Sequence, residues 1–464
     1  MRIFLTCFLI CLFSLKGSSQ VLISLQSLPA KYTPELDTIF LAGNFNNWNP
    51  RDTAFRFRKN AGGQWQARIQ TSLAELQYKV TRGNWASVEV SASGLDIANR
   101  TSSNTAGSEV TIQVADWADT KGTHTGTAGV QILSSQVWLK ALKRYRRIWV
   151  CLPSQYDPNG SERYPVLYMH DGQNVFDAAT SFAGEWKVDE ALLQLEQLAG
   201  WQPIIAVGID NGGGDRLTEL TPFRHPTYGG GTGENYAQAV VETVKPLIDS
   251  RFRTLSDVAN TGIGGSSLGG VESLFMAYAY PNIFSKALIF SPSLWFSDSL
   301  RQFCLAQPQP VNSRIYWVCG TNEGDPDMVP DMNACYQDLL NDGMPSSQMF
   351  KKVVTGGTHS EGFWSAQVKD GIKWLFGTTT AVKKKSGQNP QLRVGRAGQS
   401  LRIERISPSQ SPLRIRISDL AGKEMIPFFD MPPGEIQMPF SSGIPCLIIC
   451  SSEEGQEVFL SLGE

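Results

Sequence analysis

The sequence predicts an α/β core, a mostly parallel sheet with helices on both faces, set between two β-rich segments. Three observations carry this prediction. Between about Val130 and Gly377, apolar runs ("RIWVCL", "PVLYMH", "PIIAVGI", "ALIFS", "IYWVC") alternate with amphipathic stretches ("VDEALLQLEQL", "AQAVVETVKPLIDSRF", "GVESLFMAYAY"). Uniformly apolar strands separated by helices are what a parallel sheet buried on both faces requires. Ahead of this, from about Val21 to Asp119, short alternating runs such as "TIFLAGNFNNWNP", "QWQARIQ" and "LQYKVTRGNW" are broken by turn residues. That spacing describes a β-sandwich. Behind the core, after the polar stretch "TTTAVKKKSGQNPQ", alternation returns in "LRIRISDLAGKEM" and "PCLIICSSEEGQEVFLSL", the pattern of a small β domain.

Taken in order, the chain begins with "MRIFLTCFLICLFSLKGSSQ", in which basic Arg2 precedes an apolar run and the small residues Gly17, Ser18 and Ser19. This is the layout of a secretory signal peptide, residues 1–19, and the run is too short for a membrane span. The mature protein is therefore expected to be exported. The sandwich is placed at 20–120, immunoglobulin-like in its strand spacing. "DTKGTHTGTAG" has linker composition, the α/β domain follows at 121–380, and the β-rich C-terminal domain covers 390–464. A chain of 464 residues holds two or three domains of this size. The formal net charge of −2 gives no basic footprint for nucleic acid or an anionic membrane. Of the eight cysteines, Cys7 and Cys11 leave with the signal. Cys446 and Cys450 lie on one apparent strand, where four residues span about 13 Å, beyond disulfide reach.

The chemistry concentrates in the core. "GIGGSSLGGVESLFMAYAYP" holds Gly265, Ser266, Ser267, Leu268 and Gly269, a Gly-x-Ser-x-Gly pentapeptide. Alone this is a weak signal. A nucleophile elbow also needs a strand before the serine and a helix after it, and "NTGIGG" and "GGVESLFMAYAYP" supply both. The general base must follow the serine in this fold, and of the four histidines (His124, His170, His225, His359) only His359 does. It sits in a glycine-rich loop after a strand, "VVTGGTHSEGFW".

The acid belongs between them, on a loop just after a strand. Glu272 lies on the nucleophile helix, Asp298 lacks a preceding strand, and Asp338 and Asp342 fall in a later helix. The strand "RIYWVCG" runs into "TNEGDPDMVPD", where Glu323, three residues past Gly320, is favoured and Asp325 and Asp327 remain alternatives. Ser267 then attacks an ester carbonyl, His359 carries the proton, and the acid orients the imidazole. Oxyanion donors are expected from the N–H of Leu268 and, from "HDGQN", the N–H of Gln173. His170 and Asp171 are expected to orient that loop, and Arg216 and Glu219 to pair with each other. Four scattered histidines offer no His-x-His or His-Glu-x-x-His set, so no metal or other cofactor is expected.

Five blocks in order ("YPVLYMHDGQNVFD", "AVGIDNGGGDRLTELTP", "GIGGSSLGGVESLF", "YWVCGTNEGDPDM", "GGTHSEGFWSAQVKDGIKWLF") resemble the esterase D, or putative esterase, family of α/β-hydrolases. That family includes S-formylglutathione hydrolases, siderophore esterases and feruloyl esterases. The resemblance implies a serine carboxylesterase with Ser267, His359 and the oxyanion donors carried over. Many relatives have Asp where Glu323 stands. The first segment resembles starch-binding modules in "LAGNFNNWNP", "LQYKVTRGNW" and "VEVSASGLDIANR", which implies glucan contact by Trp48 and Lys79. Val88 occupies the second aromatic position, and nearby Trp85 is the substitute. The competing expectation is a purely structural sandwich with Trp48 and Trp85 half buried. The last segment resembles, in degenerate form, sorting domains of type IX secretion, against a generic β tail. The expected partner is a small-molecule or glycan-linked ester, siderophore-type esters included. A non-catalytic carbohydrate-binding protein and an acyltransferase are the alternative functions.

Overall fold

The computed structural model describes residues 19–29, 33, 38–120, 124–310 and 312–377, and the backbone of seven strands between 392 and 462. The expected signal peptide, Ser19 apart, and the polar stretch beyond Gly377 lie outside the described residues. The chain divides into two compact units, Met1–Phe376 and Gly377–Glu464.

The N-terminal segment forms a four-stranded sheet (Arg58–Lys59, Trp65–Thr71, Ser19–Ser27, Ser108–Gln113) and a three-stranded one (Phe40–Gly43, Glu75–Thr81, Arg100–Ser103). The period of two decides which side chains go in: Ala67, Ile69, Leu76, Tyr78 and Val80 are buried, while the intervening Arg68, Gln70 and Gln77 are exposed.

The α/β core is an eight-stranded sheet: β1 (Val130–Leu139), β2 (Arg144–Cys151), β3 (Val166–His170), β4 (Ile205–Ile209), β5 (Thr261–Ser266), β6 (Lys286–Phe290), β7 (Arg314–Gly320) and β8 (Met349–Val354). Its spatial order is β1-β2-β4-β3-β5-β6-β7-β8. Strands β3 to β8 are parallel, whereas β2 runs antiparallel to both its neighbours, β1 and β4. Apolar composition predicts burial but not direction, so the sequence pattern does not separate β2 from the rest.

Within β3, Val166 and Tyr168 join one apolar cluster and Leu167 and Met169 another, so the strand buries both faces. The first cluster takes in helix α2 (residues 233–251, with a π turn at Val240–Val244), α3 (Leu268–Ala279), α4 (Asp298–Ala306) and α5 (Met328–Asn341). The second takes in α1 (Val188–Glu196), α6 (Glu361–Phe376) and the sandwich residues Val21, Ile23 and Tyr78. The described part of "DTKGTHTGTAG" is not a loose tether. His124 Nδ1 and the Thr125 N–H bond Asp177 at 3.0 and 3.1 Å, and the Thr127 N–H donates to Asp189 at 2.7 Å.

In the C-terminal unit the strands form antiparallel sheets of three and four, and Cys446 and Cys450 share the strand Cys446–Ser452. Among the described residues no helix is long and apolar enough to cross a membrane.

Candidate active site

Ser267 stands between β5 and α3 with φ 57° and ψ −122°, a left-handed backbone that a serine adopts only under constraint. Its flanking glycines let the turn close. A Cβ on Gly265 would lie 3.0 Å from His170 Cδ2 and 3.1 Å from the Gly269 carbonyl carbon. The neighbours Ser266 and Leu268 are buried, while Ser267 itself is part-exposed at the N-terminus of α3, where helical N–H groups favour developing negative charge. Its N–H donates to Phe290 O at 3.0 Å, which ties the elbow to the end of β6.

The loop after β7 carries Glu323. Oε1 accepts from the Gly320 N–H at 2.5 Å and from Ser291 Oγ at 2.6 Å, and Oε2 accepts from His359 Nδ1 at 2.7 Å. Burial alone would raise this carboxyl, but the bonds from His359, Ser291 and Gly320 outweigh it and hold Glu323 below the ordinary carboxylate range. The alternatives lie apart from the imidazole. Asp325 accepts from the Asp327 N–H at 3.0 Å, Asp327 is exposed, and neither bonds His359. The His359 ring sits edge-on to Trp364 with centroids 5.1 Å apart, and Trp364 Nε1 donates to Ser291 Oγ at 2.9 Å. Ser267 Oγ meets Ser293 Oγ at 3.1 Å in this conformation, and no hydrogen bond joins it to His359. Such nucleophile–base bonds are often long without substrate and tighten when it binds.

The N–H of Leu268, first in α3, has no acceptor within its own helix. The N–H of Gln173, in the 3-10 turn Gly172–Asn174, donates to no described acceptor. Gly172 is required there, because a Cβ would come within 2.6 Å of Gly208 C and Ile209 N. Asp171, at φ 56°, anchors the same turn: Arg216 Nε and Nη2 grip its two oxygens at 2.7 and 2.8 Å, and Asn211 Nδ2 donates at 2.6 Å. Asn211 in turn donates its N–H to Gln173 Oε1 at 3.1 Å. Burial pushes the Asp171 carboxyl up, and the Arg216 guanidinium more than reverses this. His170 bonds Tyr236 Oη at 2.9 Å, and burial lowers its pKa to about 4, so it is neutral at working pH.

The expected Arg216–Glu219 pair does not form. Arg216 reaches Asp171, 45 positions away in the chain, and Glu219 is taken by Arg146 and Arg144 from β2. Sequence reasoning also missed Ser291, Ser293 and Trp364. The signal for the two serines was present, since "SPSLWF" follows the strand next to the elbow. In the sandwich, Trp48 and Trp85 have ring centroids 6.3 Å apart. Trp48 is half-buried, as the purely structural alternative expects, but Trp85, which opens the short 3-10 turn Trp85–Ser87 capped by Asn84, is 45% exposed. Lys79 Nζ bonds the Ile97 carbonyl.

A sheet in this order, with a serine at a strained strand–helix turn, defines the α/β-hydrolase class. The family described as "Putative esterase" matches residues 140–392, and the chain belongs to it: the protein is a carboxylic ester hydrolase. It is 24% identical over 244 residues to the uncharacterized protein YbbA of Bacillus subtilis, covering 50% of this chain and 93% of that one. It is 26% identical over 273 residues to an iron(III) salmochelin esterase of Escherichia coli, covering 55% and 59%. A stretch of 89 residues, 19% of this chain, is 37% identical to 7% of an alpha-amylase of Niallia circulans. The chain thus spans less than two thirds of the latter two proteins.

Proposed function

We propose that the protein is an exported serine esterase in which Ser267 attacks the ester carbonyl, His359 takes the serine proton and returns it to the leaving alcohol, and Glu323 fixes the imidazole. The observation supporting this reading is the Glu323–His359 bond of 2.7 Å beside a strained serine at a helix N-terminus. With Nδ1–H committed to Glu323, Nε2 is the free lone pair and faces the reaction as base. The N–H groups of Leu268 and Gln173 receive the oxyanion, each such donor contributing about a hundred- to thousandfold in rate. The substrate class is a siderophore-type or carbohydrate-linked ester, the first in keeping with the salmochelin esterase relative. Export rests on the N-terminal apolar segment, and type IX secretion on the C-terminal resemblance. The test is turnover of p-nitrophenyl acetate: wild type turns over and Ser267→Ala does not. Equal rates reject the proposal.

A second property is favoured by the paired rings of Trp48 and Trp85 and by the amylase likeness. A sugar stacks its apolar face on exposed aromatic rings, so the sandwich is proposed to bind α-glucan. The full-length protein is expected to be retarded by soluble starch in an affinity gel, and Trp48→Ala to migrate freely with an unchanged unfolding midpoint. Unretarded wild type, with Trp48→Ala costing about 3–5 kcal/mol of stability, marks a core residue instead.

A further inference from the structure

Glu185, in the loop before α1, and Asp189 and Glu190, in its first turn, each place a carboxylate oxygen within 4.8 Å of the others. Other buried carboxylates in this unit have answered their burial with a partner: Asp171 with Arg216, Glu219 with Arg146, Glu89 with Arg100, Glu323 with His359. Glu272, wholly buried without a hydrogen-bond partner, is the exception, and burial pushes its carboxyl well above the ordinary carboxylate range, which favours the protonated form. The trio has no cationic side chain; burial, with the Glu190 carboxyl against it, pushes Asp189 up to about 7, so without an ion that pair is left to share a proton. Among the described residues none of the three is in an ion pair.

The individual atoms point to a ligand. Asp189 is wholly buried; its Oδ2 accepts from the Thr127 N–H at 2.7 Å, but its Oδ1 has no hydrogen-bond partner. Glu190 Oε2 and Thr127 Oγ1 are also shielded from solvent and unpartnered. Glu185 is buried, and its Oε1 accepts from Thr125 Oγ at 2.8 Å. Leaving buried polar atoms unmet is costly, and gathering like charges adds to that cost. The helix N-terminus favours anions, but its effect is confined to one turn and does not neutralise three of them.

We propose that Glu185, Asp189 and Glu190 bind a hard divalent cation, calcium in preference to magnesium, which fastens residues 124–127 to α1. The donors are all oxygens, which suits a hard cation. Magnesium demands a tighter octahedron than three carboxylates from one short segment supply. The sequence reading expected no metal because it looked for histidine-based ligand sets; this site is structural and made of carboxylates. Residues 124–127 connect the sandwich to β1, so the ion would stiffen that connection.

The experiment uses the full-length protein, stripped with chelator and dialysed, and titrated with CaCl2 or MgCl2. Expected are one calcium equivalent by calorimetry and an unfolding midpoint raised by about 5 °C at ~1 mM calcium, with a smaller response to magnesium. Asp189→Asn is expected to abolish the response and Glu190→Gln to weaken affinity about tenfold or more; if Asp189→Asn does not fold, the partly exposed Glu190 decides. The proposal is overturned by absence of calcium heat and midpoint shift in the wild type. It is equally overturned if both variants respond undiminished. Indifference to calcium together with higher stability at lower pH would assign a proton shared between Asp189 and Glu190 instead.

Discussion

Ser267→Ala and His359→Ala are each expected to lower kcat/KM for ester hydrolysis by about 10⁴-fold or more, and the double variant to be scarcely slower than either. The reason is that the serine oxygen attacks only as its proton leaves, and the imidazole has no purpose at this step without that proton. Residues acting as one unit do not add. The residual rate is expected from the proposed oxyanion donors, the N–H groups of Leu268 and Gln173, and from binding, which neither change touches. Thermal unfolding separates chemistry from folding. Ser267 is part-exposed and its Oγ meets only Ser293 Oγ, so alanine there should leave the midpoint near that of the wild type. Near-normal turnover in either single variant contradicts the assignment, as would multiplicative losses in the double.

Glu323→Gln should cost about 10²–10⁴-fold in kcat, while Asp325→Asn and Asp327→Asn change it less than about threefold. Geometry makes the amide worse than a lost charge. Four donors converge on the carboxylate: the Gly320 N–H, Ser291 Oγ and Cys319 Sγ on Oε1, and His359 Nδ1 on Oε2. Glutamine has one acceptor oxygen, and the three donors at Oε1 hold it there. Its NH2 then faces His359 Nδ1, which must become an acceptor, and the ring proton moves to Nε2. That is the tautomer unable to take a proton from Ser267. Asp325 and Asp327 have no such bond, so their amides leave the imidazole undisturbed. Stopped-assay kcat and KM for the three variants decide this, and collapse of an aspartate variant instead relocates the acid.

The parts of this site that were legible in the sequence are those whose chemistry is local. A serine needs small neighbours at 265 and 269 to make its turn, and a single histidine downstream leaves no choice of base. Glu323, the proposed acid, was legible as a candidate because an acid must sit just past a strand end, but preferring it to Asp325 and Asp327 rests on the donors on Ser291 and His359, which arrive from 32 and 36 positions away. The Asp171–Arg216 clamp is hidden for the same reason: Glu219, three residues from Arg216, is the nearer carboxylate in sequence, yet the backbone after β4 turns the guanidinium toward the loop that carries Gln173. The reversed direction of β2 was also hidden, since burial patterns are the same for either direction. The oxygen cluster at Glu185, Asp189 and Glu190 escaped because acidic residues opening a helix are ordinary in sequence. Only burial without partners distinguishes them.

The central claim is a covalent acyl-enzyme on Ser267, and a fluorophosphonate ester, which loses fluoride and phosphonylates activated serines, tests it directly. Treated protein, digested and examined by mass spectrometry, should carry one phosphonyl group on the peptide containing Ser267, with hydrolysis lost in proportion to labelling and no label taken up by His359→Ala. A label on another residue, or full hydrolytic activity in stoichiometrically labelled protein, would contradict it.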